Sequence, residues 1–499
     1  MSVVPKPPVP RGRSVIRKPV KAADERLGLA PVIRMGLRYV FPDHWSFMLG
    51  EIALYAFIVL VATGIFLTFF YVPSDQTVTY AGSYFPLQGR EMGAEYASVV
   101  RIVFDIPAGN FVRQMHHWAA NIFIAAIVLH LLRIVYTGAF RKPRELNYWI
   151  GVTMLTLAIF EGFAGYSLVD DLLSGMGLVI AYGVALGIPF VGGALSVLVW
   201  GGEYPGSETF WPRLEIVHVL LIPLALLALI SIHLAQIMRQ HHTQFPGPKR
   251  TEAQVYGSPM WPAYALRSMG LFFAVIGVLA LLGGLVQINP IWEWGPYEPF
   301  ISTNGAQPDW YLGWLIGALR MMPPFEPHIG GYTLVGNPFW GGALFPLIVF
   351  AFLYLLPWLD RRFWGDRRRH HLLDRPRDNA TRTAVISAML AWVFTVFAAG
   401  SMDRFFLRSD ISYEAQVWAM RSLNLVLPVL VFFVVRRLCR QLKARESHPL
   451  REWTGRVVRR APTGGFETVL VDEGLGREDL AEEAGVDPAI ASEDGASAE

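Results

Sequence analysis

Long apolar runs, separated by shorter polar stretches that contain glycine and proline, follow one another along most of the chain. A helix needs about 20 predominantly apolar residues to cross the ~30 Å hydrocarbon core of a bilayer. The pattern therefore predicts an all-α, polytopic membrane protein with eight transmembrane helices. The eight runs lie at 46–71, 113–136, 148–168, 214–238, 268–287, 340–360, 383–402 and 416–435.

A further apolar run, 172–200, is interrupted by glycine and proline, which punctuate local structure. We therefore expect it to form short helices that lie on the membrane surface or pack within the protein, rather than a ninth span. The interrupting residues are Gly175, Gly177, Gly183, Gly187, Pro189, Gly192 and Gly193.

Composition and charge agree with this class, since 53% of the 499 residues are hydrophobic and 17% are charged. If the N-terminus is cytoplasmic, the inner connections hold 24 Lys and Arg residues and the outer side holds 7. Basic residues concentrate on the cytoplasmic side, so we expect a multi-pass cell-membrane protein with both termini in the cytoplasm. Residues 1–45 then form a basic cytoplasmic segment. Residues 437–499 form an acidic tail that is predicted to be disordered, above all at 465–499.

Two of the spans carry histidines at matching positions. His116 and His130 are fourteen residues apart, which at about 100° per residue is roughly 40° short of four turns. His218 and His233 are fifteen apart, about 60° beyond four turns. Each pair therefore shares one helix face, with axial separations of ~21 Å and ~22 Å. His117 points about 140° away from His130 and is the poorer partner.

Two such helices could hold two stacked planar cofactors, each between one histidine from either helix. Haem iron takes two axial imidazoles, and neutral histidine is a common metal ligand. A single histidine here would more simply be a packed or hydrogen-bonded polar residue, because burying an unpaired polar group costs ~2–7 kcal/mol. The matched double pair favours ligation of two haems.

Glycine pairs repeat the fourteen-residue spacing in the two spans that lack these histidines. Gly50 and Gly64 lie in the first span, and Gly151 and Gly165 lie in the third. Glycine leaves room for a bulky ring to lie against the backbone. The pattern predicts that the first four spans, within 46–238, form a four-helix bundle around both haems.

Arginines lie near the ends of the histidine helices, where an intramembrane charge costs ~2.5–3.5 kcal/mol and needs a partner. Haem propionates would serve as partners, and lipid phosphate is the alternative. The three arginines are Arg113, Arg133 and Arg213.

This order of glycine and histidine pairs, together with QPDWY at 307–311, resembles cytochrome b of the respiratory quinol:cytochrome c oxidoreductases, the cytochrome bc complexes. The resemblance covers nearly all of residues 40–436. QPDWY is similar to the family's PEWY motif, with Asp309 in place of Glu. GYSLVDDLLSGMGL at 165–178 and the charged C-terminal extension are most similar to the actinobacterial form that oxidises menaquinol. Val169 departs from the proline usual in the family at its position.

The resemblance implies a role for each histidine pair and an outer quinol site. His116 and His218 would ligate an outer, low-potential b haem, and His130 and His233 an inner, high-potential one. The external loop of the C-terminal half, 239–436, would carry the quinol site, with Asp309 as proton acceptor. Taken alone, Asp309 could be a helix cap, but the functional role is favoured. The other residues expected at this site are Tyr311, Tyr166, Ser174, Pro308 and Trp310.

The resemblance implies fewer residues for the inner quinone site. The family uses a histidine beyond the second ligand of the fourth span, and Met238 stands at that offset here, followed by His241 and His242. We expect His242 to contribute to this site. Arg267 and Ser268 stand around the family's usual acidic position.

Partners follow from the resemblance and from the single cysteine, Cys439. One cysteine excludes a disulfide framework, a cysteine-ligated iron–sulfur cluster and a C-x-x-C-H haem attachment. A Rieske iron–sulfur subunit and a cytochrome c subunit must therefore be separate chains. The resemblance also implies a homodimer in membrane lipid and a supercomplex with cytochrome c oxidase, and no nucleic acid partner is expected.

Two other functions fit the histidines alone. A dihaem membrane anchor of another quinone-linked oxidoreductase would have fewer spans and no PDWY-bearing loop. A transporter could use intramembrane histidines as a proton relay and would bind no haem, so the optical spectrum separates it from both haem proteins.

Overall fold

The computed structural model describes residues 26, 28–247, 250–303, 308–364, 367–406, 409–445, 456–460 and 466–470. Within these residues, eight helices are long and apolar enough to cross a membrane, and each overlaps one of the predicted runs. The predicted all-α membrane fold is therefore confirmed. The eight helices are α2 (Trp45–Thr68), α4 (Gly109–Thr137), α5 (Glu145–Ser167), α8 (Phe210–Gln240), α9 (Met260–Leu285), α12 (Trp340–Phe363), α13 (Pro376–Ala399) and α15 (Tyr413–Ala444).

Shorter elements connect these helices. The short helices are α1 (Leu29–Leu37), α3 (Ala94–Phe104), α6 (Leu172–Leu186), α7 (Gly192–Trp200), α10 (Ile291–Trp294), α11 (Gly313–Met321) and α14 (Met402–Phe405). The strands form antiparallel pairs: β1 (Val40–Phe41) with β4 (Ser258–Pro259), β2 (Thr77–Thr79) with β3 (Glu91–Gly93), β5 (His328–Ile329) with β6 (Tyr332–Thr333), and β7 (Arg456–Arg460) with β8 (Phe466–Leu470).

The chain divides into two units. The smaller unit includes α1, β1, β4 and the start of α9. Within it, Asp43 accepts hydrogen bonds from Ser258 Oγ and Arg267 Nη1, each at 2.7 Å. The larger unit spans His44–Ala253 and Gly270–Arg451 and contains the histidine helices.

Helices α2, α4, α5 and α8 pack around one apolar core in the larger unit. Phe57, Phe123, Leu155 and Leu226 are buried at its centre, one from each helix. Tyr311, from the connection between α9 and α12, is buried in the same core. The four predicted bundle helices thus pack together, and the QPDWY segment is seated against them from Pro308 onward.

The interrupted run at 172–200 forms α6 and α7, which have 15 and 9 residues and are both shorter than a membrane span. Helix α6 begins at a capping box, in which the Asp171 carboxylate accepts from the Ser174 backbone N–H at 2.9 Å. In return the Asp171 N–H donates to Ser174 Oγ at 3.0 Å. Such reciprocal bonds satisfy the free N–H groups of a helix start.

The described part of the tail is more regular than its composition predicts. Helix α15 continues to Ala444, and β7 pairs with β8 in the part of the tail predicted to be disordered. Residues 1–25 and 471–499 of the two terminal segments lie outside the described residues.

Candidate functional site

The outer histidines, His116 on α4 and His218 on α8, face each other across the bundle. Their ring centroids are 6.3 Å apart and their planes are inclined by 79°. This separation is close to two metal–imidazole bonds of about 2 Å each plus the half-widths of the two rings. The two rings are therefore spaced to take one metal ion between them.

The Nδ1 atom of each outer ring is hydrogen-bonded, which leaves Nε2 for another partner. Thr63 Oγ1 lies 2.8 Å from His116 Nδ1 and donates its own hydrogen to the Val59 carbonyl at 2.6 Å. The hydroxyl must therefore accept the N–H of His116. His218 Nδ1 lies 3.1 Å from Glu161 Oε1 and 3.2 Å from the Glu161 carbonyl oxygen. Both bonds select the tautomer with a lone pair on Nε2.

Each predicted glycine lies against one predicted histidine. A Cβ added at Gly64 would lie 3.3 Å from His116 Cε1, and one at Gly165 would lie 2.4 Å from His218 Cε1. At the other end of the bundle, a Cβ at Gly50 would be 3.3 Å from His130 Cε1, and one at Gly151 would be 3.9 Å from His233 Cε1. The two glycine helices and the two histidine helices thus meet at two matching heights.

A π-helical turn at Val217–Leu221 contains His218. A π-turn accommodates one residue more than an α-turn and is frequent at functional sites. It therefore absorbs the extra residue in the fifteen-residue spacing between His218 and His233. The sequence prediction assumed a regular helix, and the π-turn brings the rotation of this pair close to that of the fourteen-residue pair on α4.

The outer histidines line a cavity of about 260 Å³ that also contains the QPDWY carboxylate. His117 Nε2 donates to both oxygens of Asp309 at 2.8 Å, and the Tyr311 hydroxyl donates to Asp309 Oδ2 at 3.0 Å. Tyr311 approaches α5 over Gly162, where an added Cβ would lie 2.6 Å from the hydroxyl oxygen.

These contacts decide the charge of Asp309. Burial raises the pKa of the Asp309 carboxyl, but the interaction with His117 and the hydrogen bond from Tyr311 outweigh it, so the pKa lies below the usual value. The carboxylate is therefore ionised at neutral pH, inside a cavity whose walls are mostly apolar.

Relatives described as the cytochrome b subunit of the cytochrome bc1 complex match almost the whole chain. The Mycobacterium tuberculosis relative is 45% identical over 93% of this chain and 84% of its own length. The Streptomyces coelicolor relative is 43% identical over 92% of this chain and 84% of its own length. The Corynebacterium efficiens relative is 43% identical over 89% and 82%. The chain belongs to this cytochrome b family.

Two further comparisons agree with the assignment to cytochrome b. The family model described as cytochrome b (N-terminal)/b6/petB matches residues 121–296. A solved chain of a hyperthermophilic respiratory Complex III has the same fold, with a TM-score of 0.63 and 21% identity over 85% of this chain and 99% of that one. The predicted resemblance to the actinobacterial form is confirmed.

Membership in the cytochrome b family establishes the general function. The chain is a multi-pass membrane subunit of a quinol–cytochrome c reductase, it works with the other subunits of that complex, and its family carries b haems. Neither the dihaem anchor of another oxidoreductase nor the transporter is supported by these relatives.

The residues at the inner end of the bundle fit a haem with acidic side groups. The Nε and Nη2 atoms of Arg133 are buried and, among the described residues, have no hydrogen-bond partner. Its guanidinium lies 4.1 Å above the centroid of the Phe47 ring. A buried cation without a bonded anion is costly, and a propionate at this position would supply the missing acceptor.

The other two predicted propionate partners differ from Arg133. Arg113 is buried in the wall of the outer cavity, where Nη1 and Nη2 both donate to the Asn289 carbonyl at 3.3 Å. Arg213 is exposed at the start of α8 and is not among the residues that line the outer cavity.

The remaining predicted quinone residues are spread over three environments. Tyr166 lines the outer cavity with Asp309 and Tyr311. Ser174 is fully buried in the capping box of α6, and neither Pro308 nor the partly exposed Trp310 lines the cavity.

His242 lies at the inner end of the bundle, just after α8. Its ring meets the Phe47 ring edge-on at a centroid distance of 5.9 Å. Burial and the neighbouring charges of Arg133 and Arg144 lower the pKa of His242 to about 3. The imidazole is therefore neutral and has both a donor and an acceptor nitrogen.

Two residues of the outer site were missed by sequence reasoning. The helical period indicates only that His117 is a poor haem ligand, and its bond to Asp309 joins residues 192 positions apart in the chain. Glu161 belongs to neither the histidine nor the glycine pairs, although an acidic residue inside a predicted span is a functional signal by itself.

Proposed function

We propose that the chain oxidises menaquinol at the outer cavity, passes electrons inward along the bundle and reduces quinone near the cytoplasmic face. The observation that carries this proposal is the outer cavity, which holds the His116 and His218 rings together with the Asp309 carboxylate. A quinol in this cavity would meet an electron acceptor and a proton acceptor at once.

The four bundle histidines would hold two b haems, which supply one-electron chemistry when bound. His116 and His218 would bind the outer, low-potential haem, and His130 and His233 the inner, high-potential one. The axial separation of ~21 Å divides a ~30 Å barrier into short steps. The glycines would give the rings clearance from the backbone, and Arg133 and Arg113 would pair with propionates.

Asp309 would take up a proton from the quinol hydroxyl. It is ionised, and its partners His117 and Tyr311 hold it in place at hydrogen-bond distance. General-base catalysis needs a carboxylate within reach of the proton that it removes. Tyr166 would contribute to the wall of the same site, and His242 would serve the inner quinone site.

The partners and orientation follow from the same scheme. A Rieske subunit would receive the first electron of quinol at the outer face and pass it to a cytochrome c subunit. Both termini would be cytoplasmic, and the complex would be a dimer that joins cytochrome c oxidase in a supercomplex.

The test of the outer site is Asp309→Asn in the intact complex. We expect slower menaquinol oxidation with both haems bound, because the amide cannot accept the proton. Asp309→Glu keeps a carboxylate and should retain more activity. Glu298→Gln, an exposed acid on the same connection, should leave turnover unchanged. Unchanged turnover in the Asn variant would remove the proton-acceptor role.

A further inference from the structure

Glu161 is an acidic residue inside the membrane-spanning helix α5, and its carboxylate faces the outer cavity. Oε1 lies 3.1 Å from His218 Nδ1, and the two side chains are 17% and 18% exposed. Oε2 is buried and, among the described residues, has no hydrogen-bond partner. An intramembrane carboxylate is costly and marks a functional position by default.

The two oxygen atoms of Glu161 near Nδ1 determine which atoms of His218 are available. A carboxylate accepts, so Nδ1 must donate, and the lone pair is left on Nε2. The Glu161 carbonyl oxygen, 3.2 Å from the same nitrogen, supports the same tautomer. The backbone carbonyl already fixes the orientation of the ring, and the side chain places a negative charge beside Nδ1.

No other bundle histidine has this kind of partner among the described residues. His116 Nδ1 is bonded to the neutral hydroxyl of Thr63. Neither inner ring has a carboxylate partner: the charged and polar groups facing His130 are Arg133, His233 and His242, and His233 faces the Asn147 backbone. The arrangement is thus asymmetric, because a carboxylate contacts a ring of the outer pair and, in the described residues, none contacts a ring of the inner pair.

We infer that Glu161 is a positioning residue which, with its carboxylate oxygen 3.1 Å from His218 Nδ1, lowers the reduction potential of the outer haem. The inference rests on the proposed function, because it takes His218 as a haem ligand. A carboxylate behind a ligating histidine orients the ring and makes it a stronger donor. A stronger axial donor stabilises the ferric over the ferrous state, which lowers the potential.

This asymmetry matches the direction that the electron must take. A lower potential at the outer pair and a higher potential at the inner pair make inward transfer favourable. Arg113 and His117 also lie near the outer pair, but their hydrogen bonds go to Asn289 and Asp309. Among the described residues that line the cavity, Glu161 is the one whose side chain forms an ion pair with His218.

The test is Glu161→Gln in the intact complex, with the potential of each haem measured by an optical redox titration. The amide keeps the size of the side chain and removes its charge. We expect both haems to stay bound and the outer haem to become easier to reduce by about tenfold in equilibrium constant, or about 59 mV for one electron. The inner haem should not shift.

The control is Glu215→Gln, since Glu215 lines the same cavity but is not hydrogen-bonded to His218 in the described residues. It should shift the outer potential much less. An unchanged potential in Glu161→Gln, or an equal shift in both variants, would overturn the inference.

Two further variants cover the loss of the outer haem in Glu161→Gln and an incorrect assignment of His218 as a haem ligand. If Glu161→Gln loses the outer haem, Glu161→Asp carries the test: it should keep the haem and raise its potential by a smaller amount, and an unchanged potential overturns the inference. If His218→Ala retains both haems, the ligand assignment of the proposed function fails, and the inference fails with it. If Glu161→Gln retains both haems and the potential of the outer haem is unchanged, the inference is refuted and the proposed function stands.

Discussion

At the scale of single residues, the glycines of α5 lie at different distances from the histidines that they face. The position of a Cβ at Gly165 is 2.4 Å from His218, a distance that real side chains do not show, whereas at Gly151 it is 3.9 Å from His233, an ordinary contact. The same small residue therefore leaves much less tolerance at the outer site than at the inner one.

This difference predicts unequal effects of the same substitution. Gly165→Ala should displace the His218 ring, which Glu161 also holds, and the purified complex should lose much of its outer haem. Gly151→Ala should keep both haems, because its methyl group meets only a van der Waals neighbour. Haem content from the reduced b-type spectrum checks both variants, and equal loss in the two would contradict the interpretation.

A second prediction separates two histidines that line the outer cavity. His218→Ala should lose one haem, since it removes a ligand. His117→Ala should lose neither haem but should slow quinol oxidation, because Asp309 loses the donor that holds both of its oxygens. Haem quantitation together with menaquinol turnover distinguishes the two roles, and loss of a haem in His117→Ala would show that the assigned ligand register is wrong.

At the scale of elements, a buried ionic cluster joins three segments of the chain on the predicted cytoplasmic side. Arg382, at the start of α13, is 2% exposed and lies 2.5 Å from Asp374 and 3.5 Å from Asp360 on α12. Arg141, after α4, also contacts Asp374 at 3.0 Å. Because these charges are buried together, each depends on the others for its compensation.

Removal of Arg382 should therefore destabilise the chain strongly. Leaving buried carboxylates without their partner costs roughly 3–5 kcal/mol, so Arg382→Ala should lower the midpoint of thermal denaturation in detergent. The control is Arg361→Ala, whose pair with Glu145 is 43% exposed on the arginine side and is worth at most about 1 kcal/mol. Similar midpoints for the two variants would argue against the cluster as an anchor between helices.

The elements also show which structural features a sequence pattern can predict and which it cannot. The bounds of the spans and the shared face of His116 and His130 depend on local hydrophobicity and on the helical period, so they could be predicted. The π-turn around His218 could not, because it departs from the regular period. The capping role of Ser174, which was expected at the quinone site, depends on how the chain enters α6.

At the scale of the whole molecule, the distribution of basic residues predicts an orientation in the membrane. The long connection between α9 and α12 should face outward and the end of α15 should face the cytoplasm. Phe300 lies in that connection, where it is fully exposed, and Arg445 follows α15 and is also exposed.

A labelling experiment checks this orientation. In a Cys439→Ser background, which has no other cysteine, Phe300→Cys should react with a membrane-impermeant maleimide on intact cells. Arg445→Cys should react only after the membrane is opened. The reverse pattern would invert the topology and would place the outer cavity on the cytoplasmic side.

The sequence by itself determined the eight spans, the four bundle histidines, the four glycines and the assignment to cytochrome b, because hydrophobicity, helical spacing and short motifs are local properties of the chain. Tertiary structure decided which side chains meet. His117 reaches Asp309 across 192 positions, and Glu161 reaches His218 across 57. Arg382 counts as a cytoplasmic charge in the sequence but is paired in the protein interior. Such contacts depend on how the helices pack against one another, which no local pattern records.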